Sequence, residues 1–323
     1  MRSPMERAMQ YAYEVYKKGG ITKAAESLYI SQPALSAIIR KLEDSLGTPI
    51  FDRSTKPLRL TPAGEYYIHC AEQIRSIETD MKQYFDDLET LKKGSLRIGA
   101  STYFCSNILP GLLHSFHQIY PYIRVTLEEN NSTPQLKEHL LGKEIDFALT
   151  SNTYPSSDFE ELRLSSEAII LAVPADRGVN RVLRSFAYSY DEMSLLSKPY
   201  SDLSGVKRIS LRSLAQEEFI TIDRISDLYP RILSMFKEYE ISPKITMHLQ
   251  QMSSCYYMAS EGFGCTFLRS ATLHTVKATD QLLFYFIDSP RSIRSTRLYY
   301  KKGGYMTKAM QAFISWLDKE ADL

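Results

Sequence analysis

The sequence predicts a multidomain protein with three parts: a small, mostly helical N-terminal module, one long helix, and a larger α/β body. Three observations lead to this prediction. The first 60 residues contain short amphipathic segments and carry ten Lys or Arg against six Asp or Glu. A heptad pattern then runs from Tyr67 to Leu91, and strand-like and helix-like segments alternate from Gly94 onward. At 323 residues the chain is also too long for one ordinary core.

The N-terminal module contains three short helix-like segments separated by turns. Thr22 is predicted to cap the second helix and Ser31 the third, since short hydroxyl side chains satisfy free N–H groups at helix starts. In "QPALSAIIRKLEDSL" the apolar residues recur every three or four positions, which predicts one buried face formed by Leu35, Ile39, Leu42 and Leu46.

A wing is predicted after the third helix. Two short apolar stretches, Ile50-Phe51 and Leu58 to Leu60, flank basic turn residues that include a proline. Residues 1–61 are therefore predicted to form an α-rich winged helix-turn-helix domain, and its positive charge favours contact with nucleic acid.

One long helix is predicted over residues 62–93. Its apolar positions alternate by three and four residues for more than three repeats: Tyr67, Cys70, Ile74, Ile77, Met81, Tyr84, Leu88 and Leu91. On an isolated helix this narrow stripe would face water, so we expect a coiled coil with a second copy of the chain. The alternative is an amphipathic helix that packs on its own domain.

Residues 94–323 alternate strand and helix, which is typical of a parallel sheet with helical crossovers. Strands are predicted at "SLRIGAS", "YIRVTLEEN" and "EIDFALTS", and a second set begins with "EEFITI". There is enough chain for two lobes of about 100 residues each. We expect one lobe at 94–172 together with 273–323, and the other at 173–272.

The N-terminal segment "GGITKAAESLYISQPALSAIIRKLEDSLGTPIFDRSTKPLRLTPAG" closely resembles the winged helix-turn-helix of LysR-type transcriptional regulators. Some twenty positions over about 45 residues agree in register. The later region is similar in layout, through "LPGLLHSFHQIYP", "IDFALTS" and "SEGFGCTFLRS". The matching residues of the N-terminal segment are Ala24, Ala25, Leu28, Ser31, Gln32, Pro33, Ala34, Leu35, Ser36, Ile39, Leu42, Glu43, Leu46, Gly47, Phe51, Arg53, Leu60, Thr61 and Gly64.

This resemblance implies a transcriptional regulator that binds double-stranded promoter DNA and a small-molecule effector. It further implies a homodimer joined through linker helices, usually paired into a homotetramer, access of RNA polymerase as the regulated step, and a periplasmic-binding-protein-like effector domain. Two departures stand out. Ala37 and Ile38 replace longer polar residues that are common in the family, and the connection 176–211 is about twenty residues longer than usual.

The candidate DNA-binding residues lie on the third helix, near helix starts and in the wing. Gln32 and Ser36 can hydrogen-bond base edges, Pro33 can pack on a thymine methyl, and Arg40 lies further along the same face. Helix starts and wing cations are expected to contact phosphate or a narrow minor groove, through Thr22, Ser31, Arg53 and Lys56. For each cation the alternative is a solvated surface charge.

The candidate effector-binding residues are hydroxyls at the points where strands end and helices begin, together with nearby aromatics. Because no Arg or Lys falls inside these clusters, amides and hydroxyls are expected to hold a small organic acid. For a single hydroxyl the alternative is a helix cap. The candidates are Ser101, Thr102, Tyr103, Ser132, Thr133, Thr150, Ser151, Phe219, Thr221, Ser253 and Phe267.

The sequence contains few features of enzymes, metalloproteins, membrane proteins or disulfide-bonded proteins. No HExxH, GxSxG or GxxxxGK[ST] motif is present, so we expect no enzyme, metal site or cofactor. No apolar run is long enough for a membrane span and no signal segment is evident, so a cytoplasmic location is expected. The four cysteines form no CxxC pair and are interpreted as reduced thiols. The alternative function is a solute-binding protein or an enzyme of periplasmic-binding-protein-like fold.

Overall fold

The computed structural model of the chain describes residues 4–54, 58–89, 94–197, 203 and 205–321. The chain folds into two compact units, Met1–Phe85 and Asp86–Leu323. The first unit contains the helical module and most of the long helix, and the second contains the α/β body.

Three helices form the N-terminal module: α1 (Pro4–Lys18), α2 (Ile21–Ser27) and α3 (Gln32–Leu46). The predicted core face of α3 is confirmed for Leu35, Ile39 and Leu42, which are buried. The prediction that Leu46 is buried is wrong, because its side chain is 40 % exposed. Leu46 is the last residue of α3, and the next residue, Gly47, has the φ of 68° that is common where helices end. Thr22 is not a cap either, since α2 begins one residue before it.

The predicted wing is present as two short antiparallel strands, β1 (Phe51–Asp52) and β2 (Arg59–Leu60). The long helix α4 (Pro62–Glu89) follows, with the Thr61 hydroxyl accepting a hydrogen bond from the N–H of Gly64 at 3.0 Å. A Cβ on Gly64 would lie 2.0 Å from the carbonyl oxygen of Ile50, so glycine allows this helix to start against the wing.

The heptad stripe of α4 has two sections. Tyr67 is buried against the helical module. Further along, the stripe is exposed in the single chain: Ile74, Ile77, Met81 and Tyr84. The Leu88 side chain and residue Leu91 lie outside the described residues. An apolar stripe left open over three turns fits a helix that pairs with another helix.

The first lobe of the α/β body contains three parallel strands in the order β4, β3, β5. Their bounds are β3 (Ser95–Ala100), β4 (Arg124–Glu129) and β5 (Phe147–Thr150). Helices cover this sheet at α5 (Thr102–Asn107), α6 (Leu109–Ile119), α7 (Thr133–Leu141) and α12 (Lys308–Ala321). The predicted strand and helix alternation is confirmed here.

The second lobe repeats this layout, with parallel strands in the order β10, β8, β9. Their bounds are β8 (Glu218–Ile222), β9 (Lys244–Leu249) and β10 (Cys265–Arg269). The helices α10 (Leu228–Glu238) and α11 (Met252–Ser260) lie in the crossovers between these strands. Two further strands, β7 (Arg208–Ile209) and β11 (Leu282–Ile287), pair with each other in parallel.

Two long strands join the lobes. β6 (Phe159–Pro174) pairs with β12 (Ile293–Lys301) as far as Ala168, and from Ile169 onward it pairs with β10 and β11. The second crossing between lobes therefore lies near residue 293, not at the predicted 273. The physical reason is the register of β11, whose Phe284 pairs with Ala172 in the second lobe.

The long connection 176–211 packs on the second lobe. It contains α8 (Val179–Leu183), a 3-10 turn at Arg184–Phe186, and α9 (Tyr190–Leu196). Met193 is fully buried, and Tyr188 exchanges two 2.9 Å backbone hydrogen bonds with Phe284. The described part of this segment is therefore packed on the lobe and is not a solvated loop, and none of its described residues lines the cavity between the lobes. Among the described helices of the whole chain, none is long and apolar enough to cross a bilayer.

Candidate functional site

The start of α3 presents a polar edge on the outside of the N-terminal module. The Ser31 Oγ accepts a hydrogen bond from the N–H of Ala34 at 3.3 Å, as predicted for a cap. Gln32 and Pro33 are exposed, and the Gln32 Nε2 donates to the Ser36 Oγ at 3.4 Å. Arg40 is exposed one turn further along. The structure thus brings the predicted helix residues together on one outward face.

The turn before α3 adds a residue that the sequence analysis missed. Tyr29 has a φ of 55° and a side chain 96 % exposed. Its position between Leu28 and the Ser31 cap, as an aromatic residue in a tight turn, was the available signal. Thr22 is also exposed, in the first turn of α2. Both side chains lie at helix ends, where contacts with phosphates are common.

Arg53 has a structural partner that was not predicted. Its Nη2 donates to the Glu43 Oε2 at 2.6 Å, while the Glu43 Oε1 accepts from the N–H groups of Ile50 at 2.9 Å and Phe51 at 3.1 Å. Glu43 thereby ties α3 to the wing. The Arg53 side chain remains 43 % exposed, so one side of its guanidinium is open to solvent. Lys56 lies outside the described residues.

A cavity of about 430 Å³ lies between the two lobes of the α/β body. It sits at the carboxyl ends of the parallel strands and at the N-terminal ends of α7, α10 and α11, where free N–H groups and helix dipoles favour anions. Six of the predicted effector residues line it: Ser101, Thr102, Tyr103, Thr133, Thr150 and Ser253.

Five predicted effector residues do not line this cavity. Ser132 caps α7 by accepting from the N–H of Gln135 at 3.4 Å. Phe219 and Phe267 stack on each other 5.8 Å apart in the core of the second lobe, and Thr221 is buried as well. Ser151 is buried against Arg269. The strand residues were misplaced because a strand turns alternate side chains to opposite faces.

Arg269, which the sequence analysis did not select, lines the cavity from the end of β10. Its Nε donates to the Glu167 Oε1 at 2.6 Å, and its Nη2 donates to the Ser151 Oγ. Its guanidinium carbon lies 3.9 Å from the ring centre of Tyr103, whose hydroxyl donates to the Glu167 Oε2 at 2.5 Å. The cavity wall therefore contains a cation in addition to the amides and hydroxyls that were expected to hold a ligand. The signal was a cation that ends the apolar strand "CTFLR".

Arg269 stays charged in spite of its burial. Burial alone lowers the pKa of a guanidinium, but Glu167 beside it, with Tyr103 and Asp227, outweighs this effect and raises the pKa of Arg269. The cation is therefore a permanent feature of the cavity wall.

A second ion pair lies next to the first. Asp227, at the start of α10, lines the cavity and accepts from the Arg294 Nη2 at 2.5 Å. Burial opposes the charge on Asp227, yet Arg269 and Arg294 lower the pKa of its carboxyl. Burial, together with the neighbouring Arg269, lowers the pKa of Arg294 to about 10, which leaves it protonated at neutral pH. These two pairs link β12, the second lobe and the cavity floor.

Uncharged amides complete the wall, two after β4 and two after β9: Asn130, Asn131, Gln250 and Gln251. The Asn131 Oδ1 accepts from the N–H of Thr102 at 3.0 Å. In the described part of the chain, no three His, Cys, Asp or Glu side chains are placed to hold a metal ion. The cavity is thus a polar cleft with a charged floor, suited to binding a small polar molecule.

Comparisons with known proteins assign both parts of the chain to one family. Residues 7–65 match the family model "Bacterial regulatory helix-turn-helix protein, lysR family", and residues 89–322 match "LysR substrate binding domain". Among curated proteins, a probable RuBisCO transcriptional regulator of Trichormus variabilis is 27 % identical over 299 residues, covering 92 % of this chain and 82 % of the relative. Another, from Cyanidioschyzon merolae, is 29 % identical over 254 residues, covering 78 % and 77 %.

Solved structures show the same fold. CbnR, a LysR family transcriptional regulator, aligns with a TM-score of 0.57 at 18 % identity, covering 98 % of this chain and 99 % of CbnR. A full-length OxyR from Pseudomonas aeruginosa aligns with a TM-score of 0.59 at 18 % identity, covering 98 % and 95 %. CbnR has also been solved with its target DNA. Because the two family models together span both units, the chain belongs to the LysR family of DNA-binding transcriptional regulators and is not an enzyme.

Proposed function

We propose that the start of α3 reads base edges in the major groove of promoter DNA. Gln32 presents an amide that matches the N6 and N7 atoms of adenine, Ser36 adds a hydroxyl, and Arg40 lies along the same face. Ala37 and Ile38 supply no strong polar group to this face, so DNA shape carries more of the specificity. The observation that supports this proposal is the exposed, hydrogen-bonded pair formed by Gln32 and Ser36.

Phosphate contacts are proposed around this reading edge. Ser31 and Thr22 stand at helix starts, and Pro33 is exposed beside them. Tyr29 adds a hydroxyl on the adjoining turn. The Arg53 guanidinium is positioned by Glu43 with one side open, and Lys56 is proposed to act with it from the wing. A regulator of promoters acts where the chromosome is, so we propose the cytoplasm as its location.

We further propose that the cavity binds a small organic acid as effector. Arg269 donates hydrogen bonds from its Nε and Nη2, and its Nη1 donates none to the described residues, so the N–H groups of Nη1 are proposed to bind a carboxylate. Hydroxyls of Thr102, Thr150 and Ser253 surround the same space. Apolar side chains, including Leu149 and Met252, leave room for a carbon skeleton. The buried Arg269 is the observation that carries this proposal.

Assembly is proposed through α4. Its exposed stripe fits a parallel or antiparallel partner helix from a second chain, which gives a homodimer, and two dimers give the homotetramer that the family resemblance implies. An effector then alters polymerase access by favouring one arrangement of the DNA-binding modules over another, which requires different affinities for the two arrangements.

Two experiments test this function. Fluorescence anisotropy with DNA flanking the gene should show tighter binding than with random duplex at physiological salt, and equal binding would contradict sequence-specific regulation. A thermal-shift screen of carboxylic acids should raise the melting temperature of the full-length protein, and Arg269→Gln should remove that shift. Ser185→Ala, on an exposed residue outside the cavity, serves as the control and should keep it.

A further inference from the structure

One charged residue of the cavity wall is not used by the ion pairs described above. Asp223 follows β8 directly and lines the cavity. Its Oδ1 accepts from the N–H groups of Ile225 at 3.2 Å and Ser226 at 3.3 Å. In the described part of the chain, no cationic side chain lies within ion-pair distance of it. The other charged lining residues, Asp227 and Arg269, each have such a partner.

The charged residues of the wall differ in their partners. Arg269 is paired with Glu167, and Asp227 is paired with Arg294. Asp223 is the charged lining residue that forms no ion pair with a described residue. A ligand that carries only carboxylates would be attracted at Arg269 and repelled at Asp223. A ligand that also carries a protonated amine would be favoured at both positions.

The two positions are close in the fold. Arg269 ends β10 and Asp223 follows β8, and these strands are parallel neighbours. Neighbouring strands lie about 5 Å apart, so an amine and a carboxylate joined by a short carbon chain can reach the two residues together. Leu228 and Ile222, which also line the cavity, offer apolar surface to the remainder of such a molecule.

The turn formed by Asp223 is a structural role that the residue fills in any case. That role uses the Oδ1 atom as an acceptor of two backbone N–H groups, and the amide oxygen of an asparagine supplies the same acceptor. The negative charge is therefore separable from the turn, and it is the charge that faces a ligand.

We propose that the effector is an aminocarboxylate, with its carboxylate bound by Arg269 and its ammonium group bound by Asp223. This inference rests on the proposed effector function of the cavity and specifies its ligand class. A free amino acid, or a short acid with an amine further along its chain, meets this description.

Isothermal titration calorimetry on the full-length protein tests the proposal. The probes are the proteinogenic amino acids and matched acids that lack the amine, such as glutamate with glutarate, aspartate with succinate, and phenylalanine with 3-phenylpropanoate. At least one amino acid should bind, and its matched acid should bind about tenfold more weakly or worse. Asp223→Asn should weaken the binding of the amino acid by about tenfold and leave the affinity for the matched acid unchanged. Asp176→Asn, on an exposed carboxylate outside the cavity, should change neither.

The possible results separate this inference from the function on which it rests. Equal binding of an amino acid and its matched acid by the unaltered protein overturns the inference, and so does full amino acid affinity in Asp223→Asn. Acids without amines that bind at least as tightly as their matched amino acids, with binding lost in Arg269→Gln, overturn the inference but support the acid site. Binding of neither kind of probe overturns both. The comparison of matched probes on the unaltered protein decides the question even where Asp223→Asn folds poorly.

Discussion

Replacing Glu43 with alanine is expected to destabilise the DNA-binding module more than any substitution on its surface. The Glu43 carboxylate accepts the N–H groups of Ile50 and Phe51, which stand at the entry to the wing and are buried. Each buried N–H left without an acceptor costs about 1–2 kcal/mol. The pair with Arg53 is half-exposed and adds at most about 1 kcal/mol.

The expected loss is therefore about 3 kcal/mol in the free energy of unfolding of the first unit. In a unit of this size 1 kcal/mol shifts the melting temperature by about 4–8 °C, so its transition should fall by about 12–24 °C. Differential scanning calorimetry of the full-length protein measures this, since the two units are expected to melt separately.

Two variants sharpen the test. Glu43→Gln keeps an acceptor oxygen and should lose about 1 kcal/mol, mainly through the weaker bonds of an uncharged group. Asp44→Ala removes the neighbouring carboxylate, which is exposed, and should leave the transition nearly unchanged. If Glu43→Ala melts within 2 °C of Asp44→Ala, the wing is held by other contacts and the reasoning is refuted.

Three further outcomes are expected. Gln32→Ala should reduce discrimination between DNA sites by about 1–3 kcal/mol, whereas Lys56→Ala should weaken binding to all sites alike and lower the slope of log affinity against log salt concentration by about 1. Anisotropy titrations at several salt concentrations check this. An equal loss of affinity at every site in Gln32→Ala would show that Gln32 does not read bases. Ile77→Glu, in the open stripe of α4, should dissociate the assembly in sedimentation velocity while Gln73→Glu does not, and an unchanged mass would contradict the coiled coil. Asp227→Asn should cost about 3 kcal/mol at pH 7. Because the folded pKa of Asp227 lies below its ordinary 3.8, this cost should be constant above that value and shrink as the pH falls below it, as urea titrations will show; the same cost at pH 3 would contradict the assignment.

Local patterns in the sequence were sufficient for the helical module and the coiled-coil stripe. The spacing of Leu35, Ile39 and Leu42 sets one face of α3, and a cap such as Ser31 acts within three residues. The role of Glu43 was not predicted, although it lies among the positions that match the family. A carboxylate on a helix is usually solvated, and only the folded wing brings the N–H groups of Ile50 and Phe51 to it.

The cavity was only partly predictable. Hydroxyls such as Thr102 and Thr150 were found because parallel strands end at a common edge. The charged floor was missed because its partners are far apart in sequence: Arg269 and Glu167 are separated by 102 residues and Arg294 and Asp227 by 67. No periodicity encodes such pairings. The lobe to which β11 belongs was unpredictable for the same reason, because it depends on which strand β11 pairs with.

The two strands that run through both lobes determine how the effector unit can move. β6 is paired from end to end apart from one register shift at Leu164, first with β12 and then with β10 and β11, and Ala168 to Val173 are buried. Such a connection is not a free hinge. The lobes can rotate relative to each other only if the twist of the paired strands changes. We therefore expect the response to an effector to be a small rotation spread over many residues. Backbone amides in this segment should exchange with deuterium among the slowest in the chain.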